Sequence, residues 1–249
     1  MDQHGFVKLS NILTHEESQQ IIKWADQLNQ IEETAGKWMI YFESNGNRSR
    51  IENFISFMSN IKKFVESKLQ PLLEKIISKK VSIFKDKMNW KHGKGKGFAP
   101  HQDHPAWTDF PPSKFYTIAI FADDTTIENG CLEFAEDKNS ELLPYNKSGN
   151  GGLKNADTFD WKPVTTTTRD VLIFDSYAPH RSGDNKTNGS RRIFYFTFNP
   201  SDDGSFYDEY LTKKREAFPP RIERDDDTVY GALNNKYNLA NPFKGQGKK

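Results

Sequence analysis

The sequence is poor in cysteine and contains no long hydrophobic run. Cys131 is the only cysteine among 249 residues, which excludes a disulfide within the chain and is typical of a reducing compartment. The longest apolar stretches, at 115–122 and 171–174, fall far short of the ~20 residues that a membrane-spanning helix needs. The first residues include an acid and no apolar run, so they do not indicate a secretory signal. We therefore expect a cytoplasmic protein that does not enter a membrane.

An excess of charge of one sign is also missing. The chain carries 35 Lys and Arg residues against 34 Asp and Glu residues, which gives a formal net charge of +1. This balance offers no support for a nucleic-acid partner, because such proteins usually carry a strongly basic surface. Aromatic residues, in contrast, make up 13% of the chain and can fill a large core. We expect one globular domain, and the composition leaves its oligomeric state open.

The order of the predicted elements indicates a β-rich fold that begins with helices. Thr14 is a plausible cap for a helix over 16–28, and a second helical region covers 61–77, where Pro71 starts or kinks a helix. After residue 80 the composition changes to short segments rich in β-branched and aromatic residues, with strands predicted at 81–90, 115–122, 131–135, 171–174 and 191–199. A βαβ rhythm is absent, which favours a β-sandwich or jelly roll with supporting helices over a doubly wound sheet.

This order divides the single domain, 1–249, into three regions. Residues 1–80 are expected to form a helical buttress, 81–200 the jelly-roll core, and 201–249 a C-terminal helix, at 206–215, followed by a tail. The polar stretch at 138–160 is rich in Gly and Asn and predicts a long loop. Long ordered loops in compact domains are often functional, so a lid is one possible role for it.

Two histidines and one carboxylate form the candidate chemical centre. His101 and Asp103 are two residues apart, so on a strand their side chains would point to the same face. His180 follows the predicted strand at 171–174 and offers a third ligand. Two histidines and a carboxylate make up the facial triad of non-haem Fe(II) oxygenases. A lone His-x-Asp pair is more often a surface feature, so the hypothesis depends on the residues that follow.

The residues downstream of His180 support a metal site. Arg191 lies eleven residues after His180, and a turn-rich stretch at 183–189 would fold it back beside that histidine. A guanidinium there can pair bidentately with the distal carboxylate of a dicarboxylate cosubstrate. Strand alternation sends the neighbouring Arg192 to the opposite face. The sequence therefore predicts Arg191, and not Arg192, as the anchor for this carboxylate.

Other polar residues near the candidate centre have simpler interpretations. His104 falls on the opposite strand face from Asp103, so we do not expect a fourth ligand. The Gly-Lys repeats at 93–97 lack the Gly-Lys-Ser/Thr ending of a phosphate-binding loop, and a turn is predicted there. One face of the predicted strand at 81–90, extended by one residue, carries polar side chains at every second position: Lys85, Lys87, Asn89 and Lys91. We expect at least one of these lysines to meet an anionic group.

The chain resembles the phytanoyl-CoA dioxygenase family in a series of motifs that occur in family order. They are Gly5-Phe6-Val7 with Leu9, Lys87-Met88-Asn89, His101-Gln102-Asp103, Asn129-Gly130-Cys131-Leu132, the segment 170–174, and His180-x-Ser182-x-x-Asn185 up to Arg191. The resemblance implies a double-stranded β-helix, which is a cupin-like jelly roll. It also implies a dioxygenase that uses Fe(II), 2-oxoglutarate and O2 to hydroxylate a small-molecule substrate.

The resemblance also implies roles for individual residues. Because Asp103 is present where halide-binding variants of the site have Ala or Gly, hydroxylation is the expected reaction. The implied roles fall into three groups: the catalytic iron ligands His101, Asp103 and His180; the 2-oxoglutarate ligands Arg191, Ser182 and Asn89; and the substrate-facing residues Lys87 and Trp107.

A finer resemblance concerns the substrate. The segments 101–107, 174–183 and 214–220, with Asn241-Pro242, are similar to the branch of this family that hydroxylates 2-aminoethylphosphonate. A wall with Lys87 and Trp107 also suits an anion that carries an ammonium group. We predict a small polar substrate, with 2-aminoethylphosphonate or an N-methylated relative as the first candidate. Hydroxylation of another small amine, acid or acyl substrate, or a metal-binding jelly roll without catalysis, remain as alternatives.

Overall fold

Short antiparallel strands make up most of the structure. The computed structural model describes residues 4–136, 141–146, 152–225, 227–228 and 230. Within these residues eleven strands occur, and every named pair is antiparallel. In chain order they are β1 (Phe6–Leu9), β2 (Met39–Phe42), β3 (Arg48–Glu52), β4 (Val81–Lys91), β5 (Phe98–His101), β6 (Tyr116–Phe121), β7 (Leu132–Ala135), β8 (Trp161–Val164), β9 (Val171–Asp175), β10 (His180–Ser182) and β11 (Arg191–Pro200).

The strands form two sheets that face each other. The larger sheet has seven strands in the order β1-β9-β6-β11-β4-β3-β2, and the smaller has four in the order β5-β10-β7-β8. Buried aromatic side chains from both sheets, including Phe121, Phe134 and Phe174, fill the space between them. The fold is a mainly β jelly roll with flanking helices, which confirms the predicted fold class.

The helices pack against the outer face of the larger sheet or beside it. In the described part of the chain they are α1 (His15–Gln30), α2 (Ser59–Phe64), α3 (Gln70–Ile77) and α4 (Tyr207–Ala217). The Thr14 hydroxyl caps α1 by accepting a hydrogen bond from the Glu17 amide at 3.1 Å, as N-cap residues do. A π-helical turn, Val65–Leu69, separates α2 from α3, and Pro71 stands in the first turn of α3. Proline fits there because it has no N–H to donate.

Alternation along β11 sends its apolar side chains to two different cores. On β11, Phe194 and Phe196 belong to the core between the larger sheet and the helices. Ile193 and Tyr195 instead belong to the core between the two sheets. Because side chains two residues apart share a face, Arg191 also lies on the side that looks toward the smaller sheet.

The first 80 residues contribute strands as well as helices. β1 pairs with β9, and the hairpin of β2 and β3 extends the far edge of the larger sheet. The sequence does not predict this hairpin, because β2 is buried at all four positions and has no polar alternation, and β3 carries charged residues. A purely helical description of residues 1–80 is therefore incomplete. The sequence also does not predict β8 and β10, which have only four and three residues, and it predicts β5 only as a strand that carries His101 and Asp103.

The polar stretch at 138–160 is described in part. Tyr145 and Leu153 form an isolated antiparallel bridge, and the Tyr145 hydroxyl accepts a hydrogen bond from the Gln102 amide at 2.7 Å. Residues 138–140 and 147–151 of the predicted loop lie outside the described residues, as does the tail from residue 231 onward. Among the described helices, none has the length and apolar character that crossing a bilayer would require.

Candidate active site

A largely polar cavity lies between the two sheets. β3, β4, β6 and β11 border it on the larger sheet, and β5, β7 and β10 border it on the smaller one. The structure brings all the residues singled out in the sequence for catalysis or binding into the lining of this cavity: Lys87, Asn89, His101, Asp103, Trp107, His180, Ser182 and Arg191.

Two histidines and one aspartate converge at one point of the cavity wall. His101 ends β5 and His180 begins β10, and the two residues are partners in the antiparallel ladder. Their ring centroids are 4.1 Å apart, and the His101 Nε2 atom lies 3.9 Å from the Asp103 Oδ1 atom. One ligand atom from each of the three residues lies within 4.8 Å of the others. This spacing allows all three side chains to bind one metal ion.

The hydrogen bonds of the two histidines fix their tautomers. The Nδ1 atom of His101 lies 2.8 Å from the Ala99 carbonyl oxygen, and the Nδ1 atom of His180 lies 3.0 Å from the Ala178 carbonyl oxygen. A carbonyl oxygen only accepts, so each Nδ1 carries the proton and each Nε2 keeps its lone pair. Metal-ligating histidines are usually oriented in this way by a partner on the second nitrogen.

Burial and local charge set the protonation states of the three residues. Burial, together with the neighbouring His180, lowers the pKa of His101 to about 3. Burial also lowers the pKa of His180. For Asp103 burial acts in the opposite direction, yet the pKa falls below its ordinary value because His180 and Lys87 lie close to the carboxylate. Two neutral imidazoles and one carboxylate are the donor set that suits Fe(II).

The path of the chain at Asp103 differs from the predicted strand. β5 ends at His101, and Asp103 has helical backbone angles, with φ −76° and ψ −31°, before a short 3-10 turn at His104–Ala106. Strand alternation is therefore the wrong reason for the convergence of His101 and Asp103. His104 turns away from the cluster, where its ring stacks on Tyr177 at a centroid distance of 4.4 Å.

Arg191 is almost completely buried and lines the cavity. The residue is 2% exposed, and its Nε and Nη1 atoms have no hydrogen-bond partner among the described residues. The Oδ1 atom of Asn89, on the adjacent strand, is buried in the same unsatisfied state. Because buried polar groups are nearly always hydrogen-bonded, these atoms indicate a site for a polar ligand.

Arg192 faces the opposite side of β11. Its Nε atom donates to Asp123 Oδ2 and its Nη2 atom donates to Asp123 Oδ1, both at 2.8 Å. Its Nη1 atom lies 2.5 Å from Asp26 of α1. The predicted separation of the two arginines by strand alternation is thus found in the structure.

Three cations line the wall of the cavity that lies toward α4. Lys85 and Lys87 come from β4 and Arg50 from β3, and all three border the cavity. The Lys87 Nζ atom lies 4.6 Å from the centroid of the Tyr195 ring. Burial and the charge of Lys85 hold the pKa of Lys87 well below its usual value. Sequence reasoning did not single out Arg50, which lies on the unpredicted strand β3.

A buried carboxylate, Glu52, stands behind these cations. Glu52 is 0% exposed and accepts hydrogen bonds from the Tyr210 hydroxyl at 2.9 Å and from Lys214 Nζ at 3.4 Å. Arg50 Nη1 lies 3.5 Å from the same carboxylate. Burial raises the pKa of Glu52, but the nearby charges of Lys214 and Lys85 outweigh it and lower the net value. Glu52 is therefore ionised and holds the cations in place.

We expect Glu52→Gln to destabilise the protein strongly. Removing one partner of a buried ion pair leaves an uncompensated charge, which costs about 3–5 kcal/mol of unfolding free energy. Urea unfolding would measure this loss. Glu66→Gln is the matched control, because Glu66 pairs with Lys62 while the side chains are 55% exposed, and such helical pairs contribute only about 0.3–0.5 kcal/mol. Equal losses for the two variants would contradict a structural role for Glu52.

Gln102, between two of the clustered residues, fixes their backbone. Its side-chain amide donates to the Tyr177 carbonyl at 2.7 Å and to the Glu141 carbonyl at 2.8 Å. Its side-chain oxygen accepts from the Leu143 amide at 2.8 Å. These bonds tie the segment after β5 to the described part of the loop at 141–146 and to the segment before His180.

Comparisons with known proteins agree with this geometry. The family model of phytanoyl-CoA dioxygenase (PhyH) matches residues 1–193. A 2-aminoethylphosphonate dioxygenase from the uncultured bacterium HF130_AEPn_1 is 36% identical over 251 residues, which cover 97% of this chain and 95% of that protein. A methylphosphonate hydroxylase from Gimesia maris is 33% identical over 222 residues, which cover 87% of this chain and 85% of that protein.

A solved structure shares the fold at lower sequence identity. The crystal structure of EctD from S. alaskensis with 2-oxoglutarate and 5-hydroxyectoine superposes with a TM-score of 0.70 at 19% identity. The match covers 81% of this chain and 74% of that chain. The jelly-roll architecture is therefore common to both proteins.

Proposed function

Because the chain belongs to the phytanoyl-CoA dioxygenase family and is an Fe(II)- and 2-oxoglutarate-dependent dioxygenase, we propose that it hydroxylates a small phosphonate. The favoured substrates are 2-aminoethylphosphonate and its N-methylated relatives. The observation that carries the proposal is the wall of buried cations, Arg50, Lys85 and Lys87, in the same cavity as the histidine–aspartate cluster.

The proposed iron ligands are His101, Asp103 and His180. Their neutral imidazoles, free Nε2 lone pairs and single carboxylate fit Fe(II) and leave room for further ligands. When bound, Fe(II) and 2-oxoglutarate supply the oxidation in which substrate C–H and O2 become C–OH, while 2-oxoglutarate becomes succinate and CO2. The protein itself contributes ligand placement, substrate orientation and a buried, polar cavity.

The proposed 2-oxoglutarate site is built around Arg191. Its Nε and Nη1 atoms are buried and have no hydrogen-bond partner among the described residues, so the guanidinium has donors available for a carboxylate. Ser182 and Asn89 line the same cavity and can donate further hydrogen bonds. The Asn89 amide oxygen, which also lacks a partner, can accept a hydrogen bond from an ordered water. A dicarboxylate thus fits the residues present at this end of the cavity.

The opposite end of the cavity is suited to a second anion. Glu52 partly offsets the charge of Arg50, Lys85 and Lys87 but also binds Lys214, and Asp103 acts on Lys85 and Lys87 as well. A phosphonate dianion would offset this excess of positive charge and accept several hydrogen bonds from it. We assign Lys87 to a phosphonate oxygen. Trp107 contributes to the wall and holds Lys85, whose Nζ atom lies 5.8 Å from the centroid of its ring.

The same cavity offers little to an amino group. Asp103 is the only carboxylate among the described residues that line it, and we assign Asp103 to iron. The rings of Trp107 and Tyr195 already contact the chain's own Lys85 and Lys87. A phosphonate without an amine, such as methylphosphonate, is therefore the second candidate substrate.

The Lys87→Met variant tests the substrate assignment. We expect its KM for the phosphonate to rise about 10- to 100-fold, because a hydrogen bond to a charged group contributes about 1.5–3 kcal/mol. Succinate formation would be measured across 2-aminoethylphosphonate, its N-methylated forms, methylphosphonate, amino acids, betaines and a short acyl-CoA. Lys94→Met is the control, because Lys94 is exposed and its Nζ atom donates to the Lys186 carbonyl, outside the cavity lining. Stimulation by the acyl-CoA alone would overturn the proposal.

A further inference from the structure

Lys91 is a buried lysine that the proposed mechanism does not use. It is the last residue of β4 and is 2% exposed, but it does not line the cavity as Lys85 and Lys87 do. Its Nζ atom lies 2.7 Å from Ser182 Oγ, 2.5 Å from the Gly183 carbonyl oxygen and 3.3 Å from the Gly130 carbonyl oxygen. Its side chain starts on the face of β4 that it shares with Lys87 and Asn89, as the alternation predicts, and it ends behind Ser182 of the smaller sheet.

The surroundings of Lys91 are shaped to hold its terminal nitrogen in place. Gly130 has a φ of 74°, and a Cβ atom at this position would lie only 2.9 Å from Lys91 Nζ. The ammonium form of lysine has three N–H groups and no acceptor. The three neighbouring oxygens match these three N–H groups one to one. In this form Lys91 must donate to Ser182.

The direction of the Ser182 hydroxyl follows from its other neighbours. A hydroxyl has two lone pairs and one proton. Ser182 Oγ accepts from Lys91 Nζ and, at 3.3 Å, from the Phe98 amide, so both lone pairs are engaged. The hydroxyl proton is then the only part of this group that is free to form a further hydrogen bond. Ser182 lines the cavity together with Arg191. With Lys91 protonated, Ser182 is a hydrogen-bond donor to whatever anion Arg191 binds.

We propose that Lys91 is a positioning residue for 2-oxoglutarate, which sets the direction of the Ser182 hydroxyl and takes up a proton when the cosubstrate binds. Neutral Lys91 has one lone pair and can accept the Ser182 proton, which turns the hydroxyl away from the cosubstrate. Protonation reverses this hydrogen bond and makes the proton of Ser182 available to the carboxylate at Arg191. The inference rests on the proposed role of Arg191.

The surroundings of Lys91 favour its neutral form when no cosubstrate is bound. Burial and the guanidinium of Arg191 on β11 lower the pKa of Lys91 to about 6, while Asp184 after β10, Glu133 on β7 and the adjacent Cys131 act weakly in the opposite direction. A cosubstrate dianion beside Arg191 favours the ammonium form and raises this pKa. The complex therefore binds more protons than the free protein, and affinity for 2-oxoglutarate falls as the pH rises above about 6.

Calorimetry of the anaerobic Fe(II)-loaded protein measures the proton directly. Titration with 2-oxoglutarate in two buffers of different ionisation enthalpy, phosphate and Tris, gives the number of protons taken up. Near neutral pH we expect up to about one proton for the native protein. For Lys91→Met we expect less uptake, a dissociation constant that is about tenfold higher, and a weaker pH dependence. The difference in proton uptake between the native protein and Lys91→Met reports on Lys91 alone, because protons taken up elsewhere, such as at Lys85 or Lys87, contribute to both values.

Two further variants keep the test decisive. Lys94→Met, at an exposed lysine, should behave as the native protein. Arg191→Ala should bind 2-oxoglutarate far more weakly, and an unchanged affinity would overturn the cosubstrate site and not only the role of Lys91. Equal proton uptake by Lys91→Met and the native protein overturns the inference about Lys91 alone. If Lys91→Met does not fold, the native protein alone still tests the proposal. Zero proton uptake and a pH-independent dissociation constant for 2-oxoglutarate would then contradict it.

Discussion

Replacing His180 by alanine is expected to abolish tight binding of Fe(II). His180 is 5% exposed, and its ring supplies one of only two imidazole ligands in the cluster with His101 and Asp103. Loss of a residue that merely orients a ligand weakens metal affinity 10- to 100-fold, so loss of the ligand itself should exceed about 100-fold. Iron retained after anaerobic desalting, and the visible absorption band that forms with 2-oxoglutarate, would measure the effect.

His104→Ala is the matched control for His180→Ala. It removes a second buried histidine near the site, whose ring contacts Ser176 and Tyr177 and lies outside the cluster. We expect this variant to lose some thermal stability and to keep its iron. Retention of iron by His180→Ala, in a protein whose melting curve is unchanged, would rule out the proposed ligand set.

Arg191→Ala is expected to raise the dissociation constant for 2-oxoglutarate on the order of a hundredfold or more. The guanidinium is buried and its Nε and Nη1 atoms have no partner among the described residues, so a bound carboxylate there would be desolvated and hydrogen-bonded to a cation. Breaking a buried charge pair by removing one partner costs about 3–5 kcal/mol, which corresponds to this change in affinity. Titration of the anaerobic Fe(II) protein with 2-oxoglutarate measures it without turnover.

The neighbouring residue provides the control for Arg191→Ala. Arg192 is bound to Asp123 and Asp26 on the helix side of the sheet, so Arg192→Ala should lower stability and leave the 2-oxoglutarate affinity near its native value. The opposite pattern, with affinity lost only in Arg192→Ala, would show that the cosubstrate binds on the other face of β11.

The longer strands were predictable because their burial leaves a local pattern. β4, β6, β9 and β11 are rich in β-branched and aromatic residues, and each was predicted within one or two residues of its bounds. The hairpin of β2 and β3 leaves no such pattern. Its charged residues, Arg50 and Glu52, are buried only because α4 supplies Lys214 more than 150 residues later. A partner so distant in the sequence cannot be read from local composition.

The residues that form the candidate site were predictable from the sequence, but the backbone geometry that brings them together was less so. The order of His101, Asp103, His180 and Arg191 identified the residues that the cavity brings together. The turn that carries Asp103 out of β5 was not predicted, because a residue two positions from His101 also shares its face on an ideal strand. Alternation also predicts the face on which the Lys91 side chain starts, but it does not predict that the Nζ atom ends at Ser182, because the four-carbon chain is flexible.

The buried carboxylate of Glu52 joins β3 and α4 to the cationic wall of β4. An evolving or engineered enzyme therefore cannot adapt this wall to an uncharged substrate one residue at a time. Neutralising Glu52 alone leaves the buried cations without their shared carboxylate, and removing one cation deprives the buried Glu52 of a partner. The proposed selectivity for a charged substrate would therefore depend on several residues that must change together for the protein to remain folded.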